Sequence, residues 1–156
     1  MITPKALQLE IIRVAEDIFT TMLMMKIDGS AVDKNTTATI QSNITSILGL
    51  GGDVRGTLYV HFPEKTATAI TPSFLGMEVD SIDEDVKDAV GEIANMMAGG
   101  IKIFLSSHDI QTELAIPSTV IGNSYRTSRA ANIERVLVPF SCSAGPFWVE
   151  LKYVIN

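Results

Sequence analysis

Positive charge is scarce in this 156-residue chain: 12 lysines and arginines face 18 aspartates and glutamates, for a net charge of −6. The cations form no run or stripe, so nucleic acid and anionic membrane are poor partners, whereas a basic or mixed-charge protein surface is compatible. Cysteine is almost missing, and the single Cys142 excludes an internal disulfide. His61 and His108 are the only histidines, and no Cys/His/Asp cluster has metal-ligand spacing, so no protein-bound metal is expected. Nowhere do ~18 apolar residues run together, which excludes a spanning helix. Met1-Ile-Thr-Pro-Lys-Ala lacks the charged start and apolar stretch of a signal peptide, leaving cytoplasm as the default compartment. Gly49-Leu-Gly51-Gly52 lacks the lysine and helix of a phosphate loop. Ser141-Cys142-Ser143 lacks a nucleophile-elbow setting.

What is present is a core-forming composition, 46% hydrophobic against 19% charged, as in an ordinary globular protein. The length fits one domain over residues 1–156. Thr3-Pro4 is a good helix opening. Leu7, Ile11, Val14, Ile18, Met22 and Met25 then repeat at helical spacing, predicting a helix over about 4–27 whose Met22-Leu-Met-Met25 end is buried on more than one side. A polar, Thr-rich connector or short strand follows over 30–41. Strands are predicted at about 43–50 and 54–63 around the Gly51-Gly52-Asp53 turn, then a short helix over about 64–76 that Pro72 weakens. Further strands fall at 110–118, 132–143 and 146–155, the last two joined around Ser143-Ala-Gly145-Pro146. Cys142, Phe147 and Trp148 read as packing residues. This order predicts an α/β fold of the α+β type, a largely antiparallel sheet covered by helices.

The longest helix is predicted over 81–106, opened by Ser81-Ile-Asp-Glu84 as a capping box, with acids 83–85 suiting its positive end. At about 100° per residue, Val86, Val90, Ile93, Met97 and Phe104 gather on one side. Asp88, Glu92, Asn95, Gly99 and Lys102 gather on the other. A solvated face carries polar residues as a matter of course, and Glu-x-x-Asn alone is weak. The glycines are harder to dismiss, because Gly91, Gly99 and Gly100 each destabilise a helix by about 1 kcal/mol relative to alanine. Gly99, one turn beyond Asn95, leaves that face bare for close approach. Gly91 and Gly100 point elsewhere, toward close packing on neighbouring elements.

Asp88-x-x-x-Glu92-x-x-Asn95, with glycine after it and Pro117 some twenty residues on, resembles the CheX/CheC/FliY phosphatases of bacterial chemotaxis, most closely the CheX branch. The likeness extends through Glu92-Ile-Ala-Asn95-Met-Met-Ala-Gly99, Ile116-Pro117-Ser-Thr-Val120-Ile121-Gly122 and the terminal Gly145-Pro-Phe147-Trp-Val149-Glu150. One motif is present, as in CheX, where CheC carries two. Pro72 and the polar stretch 123–134 depart from the pattern.

The resemblance implies hydrolysis of the aspartyl phosphate on a CheY-type response regulator. Asn95 would position the attacking water and Glu92 would pair with the receiver's lysine. Asp88 and Gly99 would contribute to partner binding, and Lys102 would remain a surface residue. No cofactor is expected on this chain, since the receiver carries the Mg²⁺. A homodimer joined through the sheets, with exchanged strands, is implied too. The alternatives are a non-catalytic module that binds phosphorylated receivers and a flagellar-switch-like assembly domain.

Overall fold

The computed structural model describes residues 2–29, 38–40, 42–76, 79, 81–122, 125–127 and 132–156. Helix α1 (Pro4–Met22) leads to strands β1 (Ile27–Gly29), β2 (Ala38–Ile40), β3 (Ile44–Gly52) and β4 (Val54–Phe62). Helices α2 (Glu64–Leu75) and α3 (Glu84–Ser106) follow, then β5 (Thr112–Leu114), β6 (Ser118–Ile121), β7 (Tyr125–Thr127), β8 (Glu134–Cys142) and β9 (Gly145–Ile155). The main sheet has the order β1-β8-β9-β4-β3-β5, every pairing antiparallel, with β6 also on β3. Strands β2 and β7 pair separately.

Period-two alternation assigns the faces of this sheet. Leu48 and Leu50 of β3, Leu58, Val60 and Phe62 of β4, Val136 and Val138 of β8, and Phe147, Val149 and Leu151 of β9 are all buried in one core. That face carries the helices, with α3 over β3 and β4 and α1 over β8. Phe147 stacks between Phe19, Phe62 and Phe140, ring centroids 4.8, 5.0 and 4.9 Å away. Both long hairpins form as the turn chemistry predicts. Gly52, at φ +94°, takes the left-handed conformation that lets Asp53 reverse the chain.

Three boundaries differ from expectation. Helix α1 stops at Met22, because Met24 turns to φ 55° and Met25 N–H bonds back to Phe19 O at 2.9 Å. Its Met-rich end is not buried all round: Leu23 is only 4% exposed, but Met22 is 51% and Met24 91% exposed. Helix α3 is capped by Asp83, whose carboxylate accepts from Val86 N–H at 3.0 Å, rather than by Ser81, and starts at Glu84. The predicted strand 110–118 divides into β5 and β6, which share the outer edge of β3 on either side of Ala115-Ile116-Pro117. Pro72 is accommodated in the last turn of α2. Most of 30–41 and half of 123–134 lie outside the described residues.

Candidate functional site

Asp83, Glu84 and Asp85 fix the start of α3, satisfying its free amides and its positive end. Val86, Val90, Ile93, Met97, Ile101 and Leu105, with Ala89, Ala94 and Ala98, then bury one flank against the sheet. Ridges of this length hold the helix axis firmly, and the opposite stripe is thereby fixed in direction. Asp88, Glu92, Asn95 and Lys102 are exposed on that stripe, with Gly99 half-exposed among them. Glu92 and Asn95 lie about 60° apart around the axis and roughly 4.5 Å along it, so their side chains emerge side by side. Among the described residues neither makes a hydrogen bond or ion pair. Phe104, expected on the apolar stripe, is half-buried and packs on His108, centroids 4.6 Å apart.

The three glycines of α3 separate by environment. A Cβ on Gly100 would sit 2.6 and 2.8 Å from the two methyls of Val14, so α1 crosses α3 there at a distance only glycine permits. A Cβ on Gly91 would meet Thr119 Oγ1 at 3.4 Å, which places β6 along that flank. On Gly99 it would meet nothing within 4 Å. Gly99 therefore returns no packing for the helix stability it forfeits.

A second polar cluster lies on the sheet face away from the core, and the sequence did not reveal it. His61, Arg135 and Glu150 are 2%, 1% and 2% exposed. Arg135 Nε donates to Glu150 Oε2 at 2.8 Å, and His61 Nε2 stands 3.3 Å from Glu150 Oε1. A carboxylate can only accept, so Nε2 carries the proton, and Nδ1 faces Thr45 Oγ1 at 2.9 Å. Burial opposes ionisation of Glu150, but hydrogen bonds from His61 and Arg135 outweigh it and hold the carboxyl below its usual range. The only sequence signal was charged residues in strands, which ordinarily means a solvated face. The cluster is buried, cross-linking β4, β8 and β9 on that face. Among the described residues no group of three or more His, Cys, Asp or Glu could hold a metal ion.

An antiparallel sheet backed by helices, with an acid and an amide displayed on the longest of them, defines an α+β protein with a polar stripe along one helix face. The sequence profile of chemotaxis phosphatase CheX matches residues 44–141, and the chain belongs to that family. It is 27% identical over 88 residues to the CheY-P phosphatase CheX of Thermotoga maritima, a match covering 56% of this chain and 57% of that relative. The structure of chemotaxis protein CheX from Vibrio vulnificus superposes with a TM-score of 0.84 at 23% identity, over 93% of this chain and 97% of that one. CheX in the CheX–CheY–BeF3–Mg²⁺ complex of Borrelia burgdorferi gives a TM-score of 0.68 at 22% identity, covering 94% and 96%.

Proposed function

We propose that this protein hydrolyses the aspartyl phosphate of a CheY-type response regulator, with Asn95 positioning the water and Glu92 pairing with the receiver's lysine. The observation that carries the reading is the display of Glu92 and Asn95 together on the solvent side of α3, without a hydrogen bond or ion pair among the described residues and beside the bare Gly99. Membership of a phosphatase family, the relative named CheY-P phosphatase, and a fold shared with the CheX of a CheX–CheY complex support it.

The chemistry asks little of such a surface. An acyl phosphate is already reactive, and the receiver supplies the Mg²⁺ and lysine that balance charge on the phosphoryl oxygens. What remains is a water held in line with the breaking P–O bond. The Asn95 carboxamide offers both donor and acceptor for that water without exchanging a proton with it. The Glu92 carboxylate, paired with the lysine, fixes how α3 inserts. Asp88 lies one turn nearer the N-terminus and adds negative charge toward the same cationic centre. This chain brings no cofactor of its own.

In a turnover assay with catalytic amounts of protein and acetyl-phosphate-treated receiver, Asn95→Ala lowers the rate by roughly 10²-fold, as removal of one positioned hydrogen-bonding group does. The complex with the receiver persists. Glu92→Lys abolishes binding as well. Equal dephosphorylation rates for wild type and Asn95→Ala overturn the assignment; binding without any turnover identifies a non-catalytic module instead. A cytoplasmic homodimer belongs to the same reading and rests on the family resemblance. Analytical ultracentrifugation tests the dimer.

A further inference from the structure

Seven large apolar side chains are prominently exposed among the described residues: Leu9, Met22, Met24, Ile103, Ile116, Val120 and Ile121. Four of them sit on α3 or on the edge segment 112–121 beside it, the helix and flank that carry the acid and amide. Ile103, 72% exposed, follows Gly99 by one turn and lies about 20° from Glu92 around the axis. It continues the Asp88–Glu92–Asn95–Gly99 stripe.

Ile116 is 88% exposed, and its position along α3 follows from two observations. The chain leaves α3 at Ser106, turns, and comes back along the outer edge of β3 as β5 and then β6, both touching α3. Thr119 Oγ1 lies against Gly91. Stepping three residues from Thr119 back to Ile116 covers roughly 10 Å of extended chain. The same distance along a helix is about seven residues, which sets Ile116 beside the Asn95–Gly99 turn. Gly91 and Asn95 share that flank, while Gly100 and Val14 mark the opposite flank, toward α1. Ile116 therefore lies level with the Asn95–Gly99 turn on the segment that flanks α3, and Ile103 closes the stripe at its end.

Two short polar side chains and a glycine provide neither the area nor the apolar centre of a specific interface, about 800 Å² per partner. We infer that Ile103 and Ile116 form an apolar rim around Asn95 and Gly99 that seats the receiver domain about its phosphorylated aspartate, setting affinity rather than turnover. The inference rests on the phosphatase reading for the identity of the occupant. That occupant is favoured over a second copy of this chain by charge. Asp88 and Glu92 on the same stripe would repel their own copies across a symmetric contact, but they complement a lysine and a divalent cation.

The test uses the full chain and a CheY-type receiver from the same genome, activated with beryllofluoride and Mg²⁺. Ile116→Ser and Ile103→Gln alter exposed side chains, so both variants keep the wild-type circular dichroism spectrum and melting temperature. Each raises Kd for the receiver roughly tenfold, the scale of one buried isoleucine. In the turnover assay each raises KM to a similar extent with kcat within about twofold of wild type, the signature of lost uniform binding. Leu9→Gln, equally apolar and exposed on α1, leaves both unchanged. Unchanged Kd in Ile116→Ser and Ile103→Gln overturns the rim, as does an equal loss in Leu9→Gln. Wild-type protein that binds the beryllofluoride-activated receiver but leaves the acetyl-phosphate-treated receiver phosphorylated refutes the catalytic reading alone, since Kd still decides the rim. No binding at all refutes both.

Discussion

Adjacent glycines in one helix offer a stability experiment in which helix propensity cancels. Gly99→Ala and Gly100→Ala each gain about 1 kcal/mol of propensity. At Gly99 nothing lies within 4 Å of the new methyl, so the gain stands. At Gly100 the methyl falls 2.6 Å from Val14 Cγ1, 2.8 Å from Cγ2 and 3.3 Å from Cβ. Val14 is β-branched, holds essentially one rotamer in a helix and is only 5% exposed, so it cannot swing aside and α1 must shift. Overpacking of that kind costs about 1–3 kcal/mol. Gly99→Ala is therefore more stable than Gly100→Ala by about 1–3 kcal/mol, or roughly 2–12 °C in melting temperature at about 2–4 °C per kcal/mol. Urea and thermal unfolding followed by circular dichroism measure it. In a Val14→Ala background the two methyls are gone, and Gly100→Ala becomes stabilising like Gly99→Ala. Equal effects of the two substitutions in the wild-type background would refute the α1–α3 contact at Gly100.

Other expectations concern the caps and the buried polar groups. Asp83→Ala lowers stability by about 1 kcal/mol, the usual value of an N-cap, whereas Ser81→Ala leaves it unchanged; urea midpoints separate the two. Arg135→Met strands the Glu150 carboxylate and costs about 3–5 kcal/mol. Glu150 has a depressed folded pKa, so its stabilisation is present above the unfolded carboxyl pKa and is lost as pH falls through the folded value. Acid unfolding of Glu150→Gln should lack that component. The Tyr153 hydroxyl is buried without a hydrogen-bond partner among the described residues, and burial, then the nearby Glu134 charge, push its pKa up to about 12. The unfolded phenol ionises near pH 10 while the folded one stays neutral, so up to about 3 kcal/mol of stability drains away between pH 10 and 12. Tyr153→Phe removes that alkaline loss and is neutral or stabilising at pH 7, read from melting temperatures across pH.

Hydrophobic periodicity sufficed for α3, whose apolar and polar stripes follow its residue spacing except at the half-buried Phe104, and for both long hairpins. Each of those elements is decided by neighbours within a few residues. The end of α1 was hidden because Leu23, Met24 and Met25 continue the apolar content of the helix, while the stop is made by the left-handed turn at Met24. Ser81 and Asp83 are both good caps two residues apart, and only the hydrogen bond to Val86 chooses between them. The split of β5 from β6 depends on how both share one edge of β3, a tertiary fact. The His61–Glu150–Arg135 cluster was illegible for the same reason, with partners 89 and 15 residues apart in the chain. The stripe bearing Glu92 and Asn95 was visible in the sequence. The exposure of Ile103 and Ile116 was not, because it depends on what packs beside them, a tertiary fact.

The two halves of the α3 stripe are prepared to different degrees. Its direction is set before any partner arrives, because nine buried side chains lock the helix against the sheet and α1 crosses it at Gly100. Its chemistry is not, since among the described residues Glu92 and Asn95 make no hydrogen bond or ion pair that would fix their rotamers. Ordering such side chains on association costs about 0.5–1.5 kcal/mol each. A self-contained hydrolase would lose rate by leaving its polar groups so loose, as preorganisation is what gives them their effect. On the proposed reading the looseness is harmless, because the receiver's lysine and phosphoryl group would orient the carboxylate and the amide at the moment they are needed. On that reading the affinity must then come from surface that loses less freedom on ordering than a glutamate does. On this helix that is the glycine and the apolar residues around it.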